Sequence, residues 1–164
     1  MALRVAIVTV SDRSARGERE DATGPALADA VRAAGGEVVV TCVVADEAPE
    51  IEAEIVRLAD DARVPLVLTA GGTGFAPRDV TPEATRRVIE KEAPGLAELA
   101  RASGGAKTRF AFLSRGIAGV RGRTLVVNLP GSPRGAVESW EALAALLPHA
   151  LSVLAGAGDE HPVS

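Results

Sequence analysis

Residues 3–10 (LRVAIVTV) form a β-branched run with no charge after Arg4, the pattern of a strand covered on both faces in a parallel sheet. Past a polar loop, Gly24-Pro25 precedes a segment in which Leu27, Ala30, Val31 and Ala34 recur at helical spacing, and Gly35-Gly36 supply its stop. Residues 37–44 (EVVVTCVV) predict a second buried strand, with Cys42 inside it as a core residue. Residues 49–62 carry Ile51, Ile55, Leu58 and Ala59 on one stripe opposite a charged face, which predicts a helix. A third strand at 65–69 (PLVLT) runs into the glycine loop 70–74.

Helix resumes from Pro82, with Thr81 as its N-cap, and Pro94 interrupts it because proline cannot donate within a continuing helix. A short helix over 96–102 and a loop around 103–107 follow, then two strands at 115–120 and 124–129 joined across Arg121-Gly122-Arg123. The last helical stretch spans about 134–155, with Pro148 restarting it as a first-turn proline. Its second half is apolar nearly all round, so it is expected to be buried in the core or against another subunit. Residues 156–164 read as a frayed tail beyond a single domain of residues 1–155.

Strand and helix alternate in the order that gives an α/β fold: a three-layer αβα sandwich with right-handed crossovers, its sheet mostly parallel with one antiparallel strand. In open parallel sheets ligands bind beyond the carboxyl ends of the strands. The loops leaving the first, second, third and last strands should therefore converge on one crevice.

Composition narrows the classes without changing that picture. At 164 residues the chain suits one domain able to bury about 70% of its extended surface. With 47% apolar and 24% charged residues, wholesale disorder is excluded. A net charge of −4 and only four aromatic side chains argue against a general nucleic-acid binder. One cysteine excludes an intrachain disulfide. The amino terminus lacks a signal-peptide layout, and the apolar stretch 142–158 falls short of the ~20 residues of a membrane span. A soluble cytoplasmic protein, with neither nucleic acid nor membrane as partner, is the expectation.

The four loops hold the candidate chemistry: Ser11, Asp12 and Arg13 after the first strand, Ala45-Asp46-Glu47 after the second, Thr69 to Thr85 (TAGGTGFAPRDVTPEAT) after the third, and Leu129 to Gly135 (LPGSPRG) after the last. Gly71, Gly72 and Gly74, with Thr73, allow a tight turn that bares N–H groups, either a phosphate cradle or a simple strand-to-helix connection. Neither the GxxxxGK[ST] nor the GxGxxG phosphate-loop spacing occurs. Asp46 and Asp79 beside such a cradle would repel a phosphate unless a cation lay between them, and Mg²⁺ suits one or two carboxylates plus phosphate oxygens. Read singly, Asp79 is a capping or loop residue and Asp46 a turn residue. Ser132, just ahead of a helix, has the form of an anion site or of an N-cap. Arg78 and Arg134 are available to neutralise phosphate, whereas His149 and His161 sit where no histidine-based triad or zinc site can be built.

The motif TAGGTGFAPRDVTPEAT closely resembles the signature of the molybdopterin adenylyltransferase family (MogA/MoaB, including the gephyrin G domain). TVSDR from Thr9, Ala45-Asp46-Glu47 where the family has a PDE-like element, and LPGSP at Leu129 to Pro133 extend the resemblance over nearly the whole chain. Ala45 departs from the usual proline and leaves that loop less rigid. The resemblance implies a MogA-like molybdopterin-binding fold, a homotrimer or hexamer, and transfer of AMP from MgATP to the terminal phosphate of molybdopterin. Pyrophosphate would be released, and the product would pass to a molybdenum-insertion protein. It implies further that Asp46 and Asp79 hold or orient Mg²⁺, that Ser11, Asp12 and Gly71 to Gly74 bind nucleotide and pterin phosphate, and that Ser132 serves the pterin side. The alternatives are a catalytically silent MoaB-type protein that binds molybdopterin or a partner, and a CinA-like hydrolase. Retention of both aspartates favours the transferase over the former, and the absence of an additional domain argues against the latter.

Overall fold

In the computed structural model, which describes residues 2–156, six strands make one sheet in the order β2-β1-β3-β6-β5-β4. The strands are β1 (Arg4–Val10), β2 (Glu37–Val44), β3 (Leu66–Ala70), β4 (Lys91–Glu92), β5 (Ala118–Arg121) and β6 (Thr124–Leu129). The helices are α1 (Asp12–Ala15), α2 (Thr23–Ala33), α3 (Ala48–Val56), α4 (Thr81–Val88), α5 (Pro94–Gly105), α6 (Pro133–Leu143) and α7 (Leu147–Leu154). Strands β2, β1, β3 and β6 are mutually parallel, and β5 runs antiparallel to both β6 and β4. The expected α/β sandwich with a reversed strand is therefore present.

The central strands are mostly apolar because alternate residues enter two different cores. Val5 and Ile7 of β1, with Leu66, Leu68, Leu125 and Val127, pack under Leu27, Val31, Trp140, Leu143, Leu147 and Leu151. Ala6, Val8, Val67 and Val126 face the opposite way, against Ile51, Ile55, Leu58, Ala84 and Val88. Helices α2, α6 and α7 thus cover one face and α3 and α4 the other. Each fully buried leucine or isoleucine contributes roughly 1.5–3 kcal/mol of transfer free energy.

Several elements differ from the sequence reading. β2 is an outer strand and only half-buried, so Cys42 packs against the edge of the second core rather than inside it. Its thiol faces the Glu54 carboxylate at 3.3 Å, and burial with that carboxylate pushes its pKa up to about 12. α1 falls where the sequence shows only polar loop, and β4 at the end of the helix expected from Pro82, which stops at Val88; each is too short to carry a period. α5 continues to Gly105, into the loop expected around 103–107, and a short 3₁₀ turn covers Arg109–Leu113. The helix expected over residues 49–62 ends in a π-helical turn, Arg57–Asp61. In α7, Leu147 and Leu151 enter the core, whereas Val153, and Leu146 just ahead of the helix, stay about half exposed. Of the tail expected at 156–164, residues 157–164 lie outside the described residues, as does His161.

Candidate functional site

β3 delivers the chain into a junction where space for side chains has run out. Gly71 and Gly72 adopt φ of +111° and +69°, values that favour glycine. A Cβ on Gly71 would collide with the Val10 carbonyl oxygen, and one on Gly72 would collide with Thr81 Oγ1 and lie 3.2 Å from Asp46 Oδ1. The glycines are therefore needed where β1, β3, the Asp46 loop and α4 meet. Thr81 was expected to cap α4 but instead donates from its buried hydroxyl to the Gly71 carbonyl at 2.9 Å. Its N–H reaches the Gly72 carbonyl at 3.1 Å, so α4 is pinned to the glycine loop twice.

On one side of Gly72, Asp12 and Asp46 grip each other's backbone. The Asp12 N–H donates to Asp46 Oδ2 at 2.8 Å and the Asp46 N–H to Asp12 Oδ1 at 2.9 Å. Ser11 starts α1 as an N-cap, accepting from the Ser14 N–H at 3.2 Å. Arg78, on the glycine-loop segment, donates to both oxygens of Asp12 at 2.6 and 3.1 Å and to Glu47 Oε1 at 2.7 Å. This guanidinium holds the Asp12 carboxyl below its ordinary value. Asp46 has no such counter-ion: burial above all, and then the charges of Asp12 and Asp79, raise its pKa.

On the other side, a cavity of about 490 Å³ opens between the glycine loop, α5 and the start of α6. Gly72, Thr73, Gly74, Asp79 and Ser132 line it, with Arg101, Asn128 and an apolar wall that includes Ala97, Phe110 and Leu113. Asp79 Oδ2 accepts the Ala76 N–H at 2.9 Å. Ser132 Oγ accepts the Gly135 N–H at 3.1 Å, which makes it the N-cap of α6. Ser11, Asp12, Gly71 and Asp46 are not lining residues of this cavity; they stand behind Gly72, which forms part of its wall. Arg134 pairs with Glu138 at 2.9 Å on its own helix.

The donor set fits a hard divalent cation. Asp46 Oδ1 and Asp79 Oδ1 take part in no internal hydrogen bond among the described residues, and their mutual repulsion is a charge excess that a cation would relieve. Among the described residues no three acidic, histidine or cysteine side chains form a closed cage.

Sequence reasoning missed Arg115 and Asn128. Arg115 donates to the Gly74 carbonyl at 2.8 Å, the Asp79 carbonyl at 2.9 Å and both Glu83 oxygens at 2.8 and 2.9 Å. Asn128, buried in β6, donates to Thr69 Oγ1 and Thr85 Oγ1 and accepts the Ile117 N–H. A lone amide in the apolar run TLVVNL was the signal available for Asn128. Nothing local marked Arg115.

A family model described as "Probable molybdopterin binding domain" matches residues 6–149. The chain belongs to this family. Molybdopterin adenylyltransferase of Helicobacter pylori strain J99 is 35% identical over 160 residues, covering 94% of this chain and 89% of that protein. The molybdenum cofactor synthesis protein cinnamon of Drosophila melanogaster is 40% identical over 149 residues, 90% of this chain, and the chain spans 25% of its length. The crystal structure of the molybdopterin biosynthesis enzyme MoaB from Thermus thermophilus is 54% identical, covers 94% of this chain and 97% of its own, and superposes with a TM-score of 0.89. This family likeness runs through β1 to α6 and so includes every loop of the site.

Proposed function

We propose that this protein is a molybdopterin adenylyltransferase of molybdenum cofactor biosynthesis, transferring AMP from ATP to the terminal phosphate of molybdopterin. The observation that carries this reading is that Asp46, bonded to Asp12, stands beside Gly72 and Asp79 beside Gly74 on the same glycine loop, next to a cavity with a polar end and an apolar wall. A phosphate oxygen of molybdopterin attacks the α-phosphorus of ATP. The new P–O bond forms as the bond to the bridging oxygen breaks, and pyrophosphate leaves in line with its electron pair. Such a displacement needs alignment and charge neutralisation more than a covalent nucleophile.

Asp46 and Asp79 are the residues that would hold Mg²⁺, whose positive charge there neutralises the triphosphate and favours pyrophosphate departure. Asp12 fixes the Asp46 loop through the paired backbone bonds, and Arg78 ties the glycine-loop segment to Asp12 and Glu47. Gly72, Thr73 and Gly74 leave the cavity wall free of bulk for close approach of phosphate. Ser132 and the Arg134 N–H in the first turn of α6 receive the pterin-side phosphate. The apolar wall around Phe110 gives a planar ring system a surface to lie on.

The exposed Phe112, with the half-exposed Leu146 ahead of α7 and Val153 on it, supports an interface between copies of the chain, and the assembly proposed is a homotrimer, with a hexamer as the larger form. No described helix is long and apolar enough to cross a membrane, which is compatible with work in the cytoplasm and handover to a molybdenum-insertion protein. The test is turnover of purified protein with MgATP and molybdopterin, followed by chromatography for adenylylated molybdopterin. Product supports the transferase. Tight molybdopterin binding without product returns the protein to the silent binding class.

A further inference from the structure

We infer that Arg115 is a positioning residue for Asp79, an inference that rests on the cation role proposed for that aspartate. The segment 72–80 crosses from β3 to α4 without regular structure of its own, and Asp79 sits near its end. Within it, Asp79 bonds only to Ala76, its carboxylate accepting the Ala76 N–H and its own N–H donating to the Ala76 carbonyl. Arg78 ties the segment to Asp12 and Glu47, and Arg115, approaching from the stretch that leads into β5, holds the backbone on both sides of Asp79.

Its guanidinium spans the segment at both ends, donating from Nε to the Gly74 carbonyl and from Nη2 to the Asp79 carbonyl. The Arg115 N–H also donates to the Thr73 carbonyl at 2.8 Å. The third edge of the guanidinium grips both oxygens of Glu83 in the first turn of α4. Only a planar fork with donors on several edges meets these acceptors at once. Arg115 is itself anchored, because Arg101 of α5 donates to the carbonyls of its neighbours Ser114 at 3.1 Å and Gly116 at 2.7 Å. The backbone on either side of the Asp79 carboxylate is thereby referred to α5 and the sheet rather than left to a loop.

The side chain is about one-third exposed, so the worth of the Glu83 ion pair alone is small. The consequence of losing Arg115 is therefore a misplaced carboxylate more than an unfolded protein. Outer-shell partners of metal-binding groups typically set about 10- to 100-fold in metal affinity or activity.

Three proteins decide the matter: the parent, Arg115→Ala and Arg115→Lys. Each is followed by Mg²⁺-dependent turnover, by direct Mg²⁺ and ATP titration calorimetry, and by amide hydrogen exchange of residues 72–80 against that of β1 and β3. Arg115→Ala is expected to raise the half-saturating Mg²⁺ concentration about 10-fold or more, with the molybdopterin KM unchanged. Exchange should accelerate in 72–80 only, and Arg115→Lys should recover part of both effects. Parent-like Mg²⁺ dependence and exchange in Arg115→Ala would overturn the inference. So would a uniform loss of stability that lowers every parameter together and is not relieved by lysine. If the parent makes no product, the transferase reading fails. Calorimetry and exchange still judge Arg115, through faster exchange and weaker Mg²⁺ binding in the alanine variant.

Discussion

Asp12 and Asp46, 34 positions apart in sequence, close a ring in which each carboxylate accepts the other's backbone N–H. The two loops at the ends of neighbouring strands β1 and β2 are thus locked together by groups that would otherwise repel. Only Asp12 is hydrogen-bonded to a cation, because Arg78 takes both of its oxygens and acts on Asp46 through its charge alone. The pair is therefore electrostatically unequal, with the Asp12 pKa lowered and the Asp46 pKa raised.

That inequality fixes a sign for Asp46→Asn. A carboxyl whose pKa is raised by folding binds its proton more tightly in the native state, so charging it costs stability as pH rises through that raised value. Asparagine keeps an acceptor for the Asp12 N–H without the charge. In metal-free buffer at pH 7 the Asp46→Asn protein should melt at a higher temperature than the parent, and the difference should shrink toward pH 4. Turnover should fall at the same time. A lower melting temperature at pH 7, in calorimetry across this range, would contradict the burial and repulsion assigned to Asp46.

Asp12 has the opposite sign. Its depressed pKa contributes stability that is present above the ordinary aspartate value and is lost as pH falls through the lowered one. Arg78→Gln should abolish that contribution, so the acid unfolding midpoint of the variant should move to higher pH. Circular dichroism between pH 2 and 5 measures the midpoint. An unchanged midpoint would mean that the ion pair is fully screened by solvent.

The central strands were legible because β1, β3 and β6 are buried on both faces and read as unbroken apolar runs. The glycine loop and the two aspartates followed from topology, since parallel strands gather their outgoing loops at one edge. The outer position of β2 was not legible, because its apolar run is as continuous as that of a central strand. The ring between Asp12 and Asp46 and the clamp of Arg115 on residues 73–79 were equally hidden. Both join segments more than 30 positions apart through backbone carbonyls and amides, which leave no mark on residue type.

Asp79→Asn changes charge at nearly constant shape, and asparagine can still accept the Ala76 N–H. The fold should survive while turnover at limiting Mg²⁺ falls by about 100-fold, the scale of losing one preorganised electrostatic group at a reacting centre. Raising Mg²⁺ should restore part of the rate. Parent-like turnover by the folded variant at limiting Mg²⁺ would remove the metal role from this carboxylate.

Ser132 allows capping and ligand binding to be separated. As the N-cap of α6 it accepts the Gly135 N–H, so Ser132→Ala should cost about 1 kcal/mol and Ser132→Gly only a few tenths. If the hydroxyl also receives a phosphate of molybdopterin, both variants should raise the molybdopterin KM by a similar factor while their urea midpoints differ. A KM that follows the stability ranking instead would reduce Ser132 to its cap.

Gly72→Ala tests the junction itself. The position has φ +69°, and a methyl there would drive into Thr81 Oγ1, the donor to Gly71, and crowd Asp46 Oδ1. Backbone strain of this kind costs on the order of 1–3 kcal/mol, and displacement of Thr81 loosens the start of α4 as well. Urea unfolding should show that loss. ATP binding by calorimetry should weaken beyond it, because the same methyl separates the Asp46 side of the wall from the cavity that Asp79 faces. Gly35→Ala, at φ +87° with open space around its Cβ, carries the strain without the collision. Its stability should fall, and its nucleotide affinity should match the parent's. Equal loss of ATP affinity in both variants would show that strain alone weakens binding and that the methyl's place beside Asp46 has no effect of its own.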